Sequence, residues 1–429
     1  MRAKRFNAPS VVLILLCAMY LLLYVNRVNI STVAPLIKAD LRLSNTQLGL
    51  AFSAFGIPYA VLQLFGGWFG DRLGPRFTLT MCCAVVAVFT ILISATGGLI
   101  SLVLFRLALG LGEGAAFPTA TRALASWTPK KKWGFAQGIV HSFSRLGNAI
   151  TPPLMTLLVA FVSWRSSFVV LGIVSFLWVA LWLWFFRNDP REHPFITGAD
   201  ITELPARTRS EKALEVPTLR LARRILPLTL IDFCFGWTLS VFLSWIPSFF
   251  FENYHLNLQK SAMFSAGVLF AGVVGDTLGG IFSDGLFRKT GNLVIARCRV
   301  IVTGFLGALV FMIPVILIHE VNVATVCLSL AFFFAELVVG PVWAVPMDIA
   351  PQYAGSASGM MNFGFGVSAI VSPWLFGFLV DRTGSWVYPL GFSIALLLSG
   401  AVLALRLRPD LPFEQRGKAF SEQSSVSTA

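Results

Sequence analysis

Long apolar stretches separated by short polar connections run along almost the whole chain. Twelve of them are long enough to cross a hydrocarbon core of about 30 Å as a helix, which takes about 20 residues. Several are interrupted by glycine or proline, and the connection TGGLIS is so short that the third and fourth helices must be antiparallel neighbours. The pattern predicts an all-α polytopic membrane protein with twelve transmembrane helices.

One long polar connection interrupts this pattern at mid-chain. It mixes Pro, Arg, Glu and Asp without a sustained apolar face, so it is typical of a linker. We therefore expect an N-terminal six-helix bundle over 1–186, a cytoplasmic linker over 187–224 and a C-terminal six-helix bundle over 225–408. The Ser-rich residues 409–429 are expected to form a disordered cytoplasmic tail.

The two halves repeat short motifs at a nearly constant offset. GGWFGD, which ends at Asp71, recurs as GGIFSD, which ends at Asp284, and Ser163–Trp164 recurs as Ser385–Trp386. A parallel duplication of a six-helix unit predicts such repeats, and a substrate site then lies between the halves near the membrane midplane. The expected fold is two pseudo-symmetric six-helix bundles.

Composition agrees with a membrane protein and excludes other classes. Hydrophobic residues make up 56% of the chain and charged residues only 12%, too few to cover a water-facing globule. Most of the 33 lysines and arginines lie in alternate connections, so the net charge of +13 is a topology signal and not a nucleic-acid patch. It predicts that both termini are cytoplasmic, in an inner membrane of bacterial type. The six cysteines lack metal-ligand spacing, and no metal or cofactor is expected.

The candidate chemistry is centred on the stretch RLALGLGEGAAFPTATR, which contains Arg106 and Glu113. Charge inside an apolar span indicates function. The two residues are about two turns, or about 10 Å, apart on one helix face. We expect an anion to be held near Arg106 and a proton to be carried by Glu113, with protonation responding to whether the anion occupies the arginine.

Two further arginines, Arg27 and Arg145, lie within spans at depths close to those of Arg106 and Glu113. Arg27 lies at nearly the depth of Arg106, so the two could grip one anion, because a guanidinium offers a planar fork of donors to a carboxylate. Each could instead cap carbonyl groups or pair with a buried acid. Arg145 lies near the depth of Glu113, and it is expected to be either a partner of Glu113, a third substrate-binding residue or a structural ion-pair residue; the sequence leaves these open. His141, one turn earlier, is most simply a hydrogen-bonding group.

Further motifs carry a resemblance across essentially the whole chain. They are GGWFGDRLGPR after the second span, YVNRVNIS in the first, SRLGNAITPP in the fifth and FFFAELVVGPVWAVPMDIAPQYAGSASGMMN across the tenth and eleventh. With these motifs the chain resembles the major facilitator superfamily and, within it, the anion:cation symporter family of sugar-acid and organic-anion proton symporters.

The resemblance implies roles for several residues. In similar proton-coupled members, the glutamate at the position of Glu113 is a protonation site, and Tyr59, Trp343 and Asn362 match positions that line the substrate cavity. Many bacterial members have an aspartate directly before the arginine of the first helix, whereas this chain has Asn26, which cannot titrate. One expected proton site is therefore missing.

Charged residues at the cytoplasmic helix ends are expected to act in gating. Asp71, Arg72, Arg76 and Asp284 could pair with helix ends or with basic groups across the domain boundary. Their alternative role is simple topology anchoring.

These observations predict a secondary active transporter of a small organic anion, such as a sugar acid, coupled to protons and working by alternating access. A facilitative exchanger or uniporter is the main alternative, and a drug exporter or a non-transporting membrane sensor are weaker ones. The chain contains no recognisable nucleophile–base set, metal cluster or nucleotide loop, so it is not expected to be an enzyme. Its expected partners are the anion, protons and the lipid bilayer, and the expected state is a monomer.

Overall fold

The structure, a computed structural model, describes residues 8–129, 133–196, 204, 218–350 and 353–413. We number its long helices in chain order, and a short helix, Ala34–Leu41, follows the first. They are α1 Ala8–Thr32, α2 Asn45–Leu73, α3 Pro75–Ile93, α4 Leu99–Trp127, α5 Trp133–Phe161, α6 Trp164–Phe185, α7 Thr218–Ser248, α8 Leu258–Thr290, α9 Val294–Leu317, α10 Val321–Ile349, α11 Ala354–Thr383 and α12 Val387–Leu405.

The expected all-α architecture of twelve membrane-crossing helices is confirmed. In the described chain, ten helices are long and apolar enough to span a membrane by length and composition. The other two, α2 and α5, are each 29 residues long. α2 packs along α11 and α5 along α8, so both helices line the boundary between the halves.

Two helices at equivalent positions of the halves are broken near their middle. α4 consists of Leu99–Gly114 and Ala116–Trp127, and α10 consists of Val321–Glu336 and Val339–Ile349. Pro118 and Pro341 follow the breaks, and neither has an N–H to donate to the carbonyl group four residues earlier. A glutamate directly precedes each break, Glu113 in α4 and Glu336 in α10, and both are fully buried.

The edges of the linker and tail differ from the sequence expectation. α7 begins at Thr218, inside the segment assigned to the linker, because Leu221 and Ile225 are buried there. Arg224 also donates to the carbonyl groups of Arg408 and Leu411, at 2.6 and 2.8 Å. Residues 409–413 are therefore packed, not disordered, as the backbone bond from Phe413 to the carbonyl of Ile349 at 2.7 Å also indicates. The remaining tail lies outside the described residues.

The halves meet tightly on the side opposite the chain termini. Lys38 contacts Glu252 across the boundary at 2.9 Å. The carboxylate of Asp381, at the end of α11, accepts hydrogen bonds from the backbone N–H groups of Asn45 and Thr46, at 3.1 and 2.6 Å. Contact continues inward, where the hydroxyl of Ser53 accepts from the N–H of Trp374 at 3.1 Å. The structure is therefore closed on this side.

Candidate functional site

Arg27 and Glu113 form an ion pair in the middle of the N-terminal half. Nη2 and Nε of Arg27 donate to the same oxygen of Glu113, Oε2, at 2.7 and 3.1 Å. The Glu113 side chain is fully buried, and its other oxygen, Oε1, has no hydrogen bond within the described residues. The expectation that Arg145 could be the partner of Glu113 is wrong, because the long Arg27 side chain reaches across the difference in depth and takes that place.

Three aromatic rings surround the guanidinium of Arg27. Its central carbon lies 4.5 Å from the ring centre of Tyr59, 4.7 Å from that of Phe55 and 4.8 Å from that of Tyr24. Ring faces attract a cation while excluding water, so Arg27 keeps its charge in an apolar surrounding. This arrangement brings the predicted residue Tyr59 into the site.

Arg106 is a second buried arginine in contact with Phe55, and it has no ion-pair partner within the described residues. Only 3% of the residue is exposed, and its guanidinium carbon lies 5.0 Å from the Phe55 ring centre. Nε and Nη1 make no hydrogen bond within the described chain. Because an unpaired buried charge is costly, these two donors are suited to an anion that enters from outside the protein.

Arg27 and Arg106 face a cavity between the two halves. Its polar lining comprises Arg27, Ser31, Tyr59 and Arg106 from the N-terminal half and Ser240 and Ser244 from α7. The rest of the described lining is apolar, including Phe52 and Phe365. The lining contains two cations and four hydroxyl groups but no carboxylate, so the cavity is electrostatically suited to a small anion.

Asn26 serves as a neutral structural residue beside this site. Its amide donates to the Leu22 carbonyl at 2.9 Å and to Ser175 Oγ at 3.0 Å, and its oxygen accepts from Thr90 at 3.2 Å. The residue is 1% exposed. Asn26 thus ties α1 to α3 and α6.

Arg145 belongs to a separate cluster at the boundary between the halves. Nε donates to Asp276 Oδ2 on α8 at 3.0 Å, and Nη2 lies 3.2 Å from Glu336 Oε2 on α10. Arg145 is not among the residues that line the cavity with Arg27. Its expected role as a substrate ligand is therefore corrected to a cross-boundary ion pair, because α5 packs against α8 at this depth.

Two predicted cavity residues of the C-terminal half lie elsewhere in this conformation. Asn362 donates to Gln63 Oε1 at 2.7 Å and so joins α11 to α2. Trp343 is 43% exposed and does not line the cavity described above. Neither residue belongs to the described lining of the cavity that Arg27 and Arg106 face. The polar contribution of this half comes instead from Ser240 and Ser244.

Two of the predicted gating residues, Arg76 and Asp284, make contacts within their own halves. Arg76 Nη2 donates to the carbonyl of Leu183 at 2.7 Å, and Asp284 pairs with Arg297 at 2.9 Å. Arg72 is exposed, and the side chain of Asp71 lies outside the described residues. In this conformation, which is closed on the side opposite the termini, the contacts that the described residues make with Arg76 and Asp284 do not cross the boundary.

Five residues of the site were not predicted from the sequence. Tyr24 lies one helical turn before Arg27, Ser31 lies one turn after it, and Phe55 precedes Tyr59 by one turn, so helical spacing from the predicted residues could have found all three. Ser240 and Ser244 show the same spacing on α7. Nothing in their type distinguishes them from other serines of the spans.

Comparison with known proteins matches this chain to membrane transporters over most of its length. The family model described as Major Facilitator Superfamily matches residues 16–373. The probable sulfoacetate transporter of Cupriavidus necator is 45% identical over 97% of this chain and 98% of its own. The hexuronate transporter of Bacillus subtilis is 30% identical over 88% of each chain.

A solved structure shares the fold. The crystal structure of a bacterial homolog to the human lysosomal transporter Spinster superposes with a TM-score of 0.78 at 16% identity, covering 94% of this chain and 97% of that one. The resemblance stated from the motifs is confirmed, because the relatives named above are transporters of organic anions.

Proposed function

Because this chain belongs to the major facilitator superfamily, and is thus a membrane transporter and not an enzyme, we propose that it is a secondary active importer of a small organic anion coupled to protons. Alternating access of the central cavity is the transport mechanism in this proposal. One observation carries it: Arg106 presents two buried donors, which have no hydrogen-bond partner within the described residues, beside Arg27 in a cavity between the halves.

The proposed substrate is a small molecule with a carboxylate or sulfonate group and further polar atoms. The acidic group binds Arg106 and Arg27, since a guanidinium pairs well with planar or tripodal oxyanions. Hydroxyl groups of Ser31, Ser240 and Ser244 are available for the remaining polar atoms. The names of the relatives, which refer to sulfoacetate and hexuronate, support this class.

Coupling in this proposal comes from competition for Arg27. In the described structure Glu113 neutralises Arg27. An anion that takes over Arg27 leaves the buried Glu113 without its cation, and a buried carboxylate without a partner is strongly disfavoured. Glu113 then binds a proton, so the anion and the proton travel together.

The proposed orientation places both termini in the cytoplasm, as the distribution of lysine and arginine supports. The closed side with Lys38, Glu252 and Asp381 is then external, and the described conformation is inward-facing. Import ends with release of the anion and the proton on the cytoplasmic side. We also propose that the protein works as a monomer, since each chain contains a complete site.

A facilitative exchanger or uniporter is the alternative, and Asn26 favours it. Because Asn26 is neutral and fully hydrogen-bonded, the position next to Arg27 cannot carry a proton. Glu113 alone then carries the proton in this half. The two functions differ in one property, which is accumulation of substrate against its gradient when only a pH gradient is imposed.

Reconstitution into liposomes tests this proposal. A panel of sulfonated acids, hexuronates and other sugar acids is offered with and without an inward proton gradient, and uptake is followed with internal substrate absent or present. Proton-driven accumulation supports symport, whereas equal uptake with and without the gradient favours facilitative transport. Absence of uptake for all anions, with uptake of a cationic compound, contradicts the proposal.

A further inference from the structure

A second group of buried charges lies at the boundary between the halves, apart from the anion cavity. Arg145 of the N-terminal half contacts two acids of the C-terminal half, Asp276 at 3.0 Å and Glu336 at 3.2 Å. The side chains of Arg145, Asp276 and Glu336 are 14%, 23% and 1% exposed. The function proposed above does not use this cluster.

The charges of this cluster do not balance. One guanidinium faces two carboxyl groups, and in a water-poor boundary a single cation neutralises only one of them. Asp276 has the better contact, a hydrogen bond from Nε, and is partly exposed to water. Neither oxygen of Glu336 has a well-formed hydrogen bond within the described residues, and Gly272, one turn before Asp276, lies against the Glu336 side chain. Glu336 is thus the group with the least stabilisation for a negative charge.

The cluster spans two bodies that separate during transport. Arg145 is on α5, whereas Asp276 and Glu336 are on α8 and α10. In the alternating-access mechanism proposed above, opening of the opposite side moves α5 away from α8, and the acid pair then loses its cation. Two neighbouring carboxyl groups without a cation cannot both stay ionised in such a site.

We propose that Arg145 and a proton compete for the Asp276–Glu336 pair, so that docking of Arg145 displaces one proton to the side that is then open. This inference rests on the transport function proposed above, but it assigns a proton site that is separate from Glu113. It offers a second proton carrier in a chain in which Asn26, the residue next to Arg27, cannot titrate.

The step conserves charge. Before docking, both carboxyl groups hold a proton and the acid pair is neutral. On docking, the O–H bond of Asp276 breaks, its proton passes to water, and the carboxylate pairs with the Arg145 guanidinium. Glu336 keeps its proton, so the buried cluster stays neutral in both conformations. The partial exposure of Asp276 provides the route for the released proton.

Two other titratable groups face this cluster. His141 lies one turn before Arg145 on α5, and Tyr24 faces Arg145 from α1. The ring of His141 also packs edge-on against Tyr20, with ring centres 5.4 Å apart. A variant of His141 is therefore needed to separate its titration from that of the acid pair.

The test measures conformation in the substrate-free protein. Spin labels at the terminus-side ends of the two halves report the ratio of the described conformation to the opposite one as a function of pH. Because the docked state holds one proton fewer, this ratio should rise about tenfold per pH unit in the range where the acid pair titrates. In Arg145→Gln this dependence should be lost, and in His141→Gln it should remain.

The matched control is Glu252→Gln, which breaks the solvated Lys38–Glu252 pair across the same boundary. It should change the ratio by a constant factor and leave the slope unaltered. A slope in Arg145→Gln equal to that of the wild type would overturn the proposal. Where Arg145→Gln does not fold, the double variant Asp276→Asn/Glu336→Gln, which removes both proton sites, must show the same loss of slope.

A second measurement addresses the retained proton. The infrared difference spectrum between the substrate-free wild type and Glu336→Gln, at a pH where Arg145 is docked, should contain the carbonyl stretch of a protonated carboxyl group; the subtraction cancels the contribution of Asp232, another buried acid. Absence of this band from the difference spectrum would contradict the assignment. Neither measurement depends on transport. The proton-site proposal can therefore fail while the proposed anion transport is supported, and anion transport can fail while the proton site is supported.

Discussion

Arg27 contacts Glu113 through one carboxylate oxygen only, Oε2, and leaves Oε1 buried without a hydrogen bond within the described residues. The pair is therefore held in place but not fully satisfied. An anion with several oxygens can offer Arg27 and Arg106 more hydrogen bonds than Glu113 does. This difference makes exchange of one anion for the other at Arg27 physically reasonable, and it leads to the first prediction.

Glu113→Gln should retain substrate exchange but lose proton-driven accumulation, because glutamine can stay near Arg27 without binding or releasing a proton. Exchange of labelled substrate and uptake under an imposed pH gradient are measured on the same liposomes. Glu252→Gln, at a partly exposed ion pair outside the cavity, removes the same carboxylate charge but should retain proton-driven accumulation. Normal accumulation in Glu113→Gln would assign the coupling proton to another group.

Arg106→Ala should weaken anion binding about 10- to 100-fold for each charged hydrogen bond lost, which corresponds to about 1.5–3 kcal/mol. Arg106→Lys should recover part of this affinity, since lysine restores the charge but not the planar fork of donors. Affinity is measured by calorimetry or by quenching of cavity fluorescence. Arg165→Ala serves as the control, because Arg165 pairs with Asp40 away from the cavity. Unchanged affinity in Arg106→Ala would place the anion elsewhere.

Phe55→Leu should reduce anion affinity while leaving the fold intact, because the Phe55 ring helps to position both guanidinium groups: its centre lies 4.7 Å from the guanidinium carbon of Arg27 and 5.0 Å from that of Arg106. Loss of two cation–ring contacts is expected to cost about 1–2 kcal/mol, or about 5- to 30-fold in affinity. Binding is measured together with the melting temperature. A variant with normal affinity would show that the ring only fills space.

Asp381→Ala should shift the protein toward the conformation that is open on the side opposite the termini. Asp381 caps the first turn of α2 from the other half, so its loss weakens only the closed state, by about 1 kcal/mol or about fivefold. Cysteine at Ser31, in a background without native cysteines, should then react about fivefold faster with an impermeant thiol reagent.

The control for this prediction is Glu320→Ala. Glu320 caps the start of α10 through the N–H groups of Asn322 and Val323, at 3.1 and 2.8 Å, within a single half. Its loss removes the same kind of cap without touching the boundary. Equal reactivity of the Asp381 and Glu320 variants would show that the cross-boundary cap does not control access.

His193, after the last helix of the N-terminal half, should make stability depend on pH. Burial lowers the pKa of His193 below its ordinary value of 6.5, and Nδ1 accepts a hydrogen bond from the N–H of Phe195 at 3.2 Å, which needs the neutral ring. The stabilisation is therefore present above about pH 6.5 and is lost as the pH falls through the lowered value.

Thermal unfolding measured between neutral and mildly acidic pH checks this expectation. His193→Phe should lose the part of the pH dependence that comes from this ring, while His255→Gln, at an exposed position, should leave the profile unchanged. An identical pH profile in His193→Phe and the wild type would exclude His193 as the titrating group.

The sequence alone determined the twelve spans, the two six-helix halves and the identity of the charged residues that occupy buried positions. These features can be read along the chain without knowledge of the fold. The length of an apolar stretch and the presence of a charge within it are local properties, and the repeat of GGWFGD as GGIFSD is visible in the order of residues. Arg27, Arg106 and Glu113 were found in this way and Tyr59 from the family resemblance, and the structure brings the four together.

Only the tertiary structure decided which charges pair. Depth along a helix gives the height of a residue but not the direction in which its side chain points, and a long arginine spans more than one turn. Arg27 therefore takes Glu113, Arg106 is left without an ion-pair partner in the described chain, and Arg145 reaches across the boundary to Asp276 and Glu336. The sequence supplied the charges, and the packing of α5 against α8 and of α1 beside α4 fixed their partners.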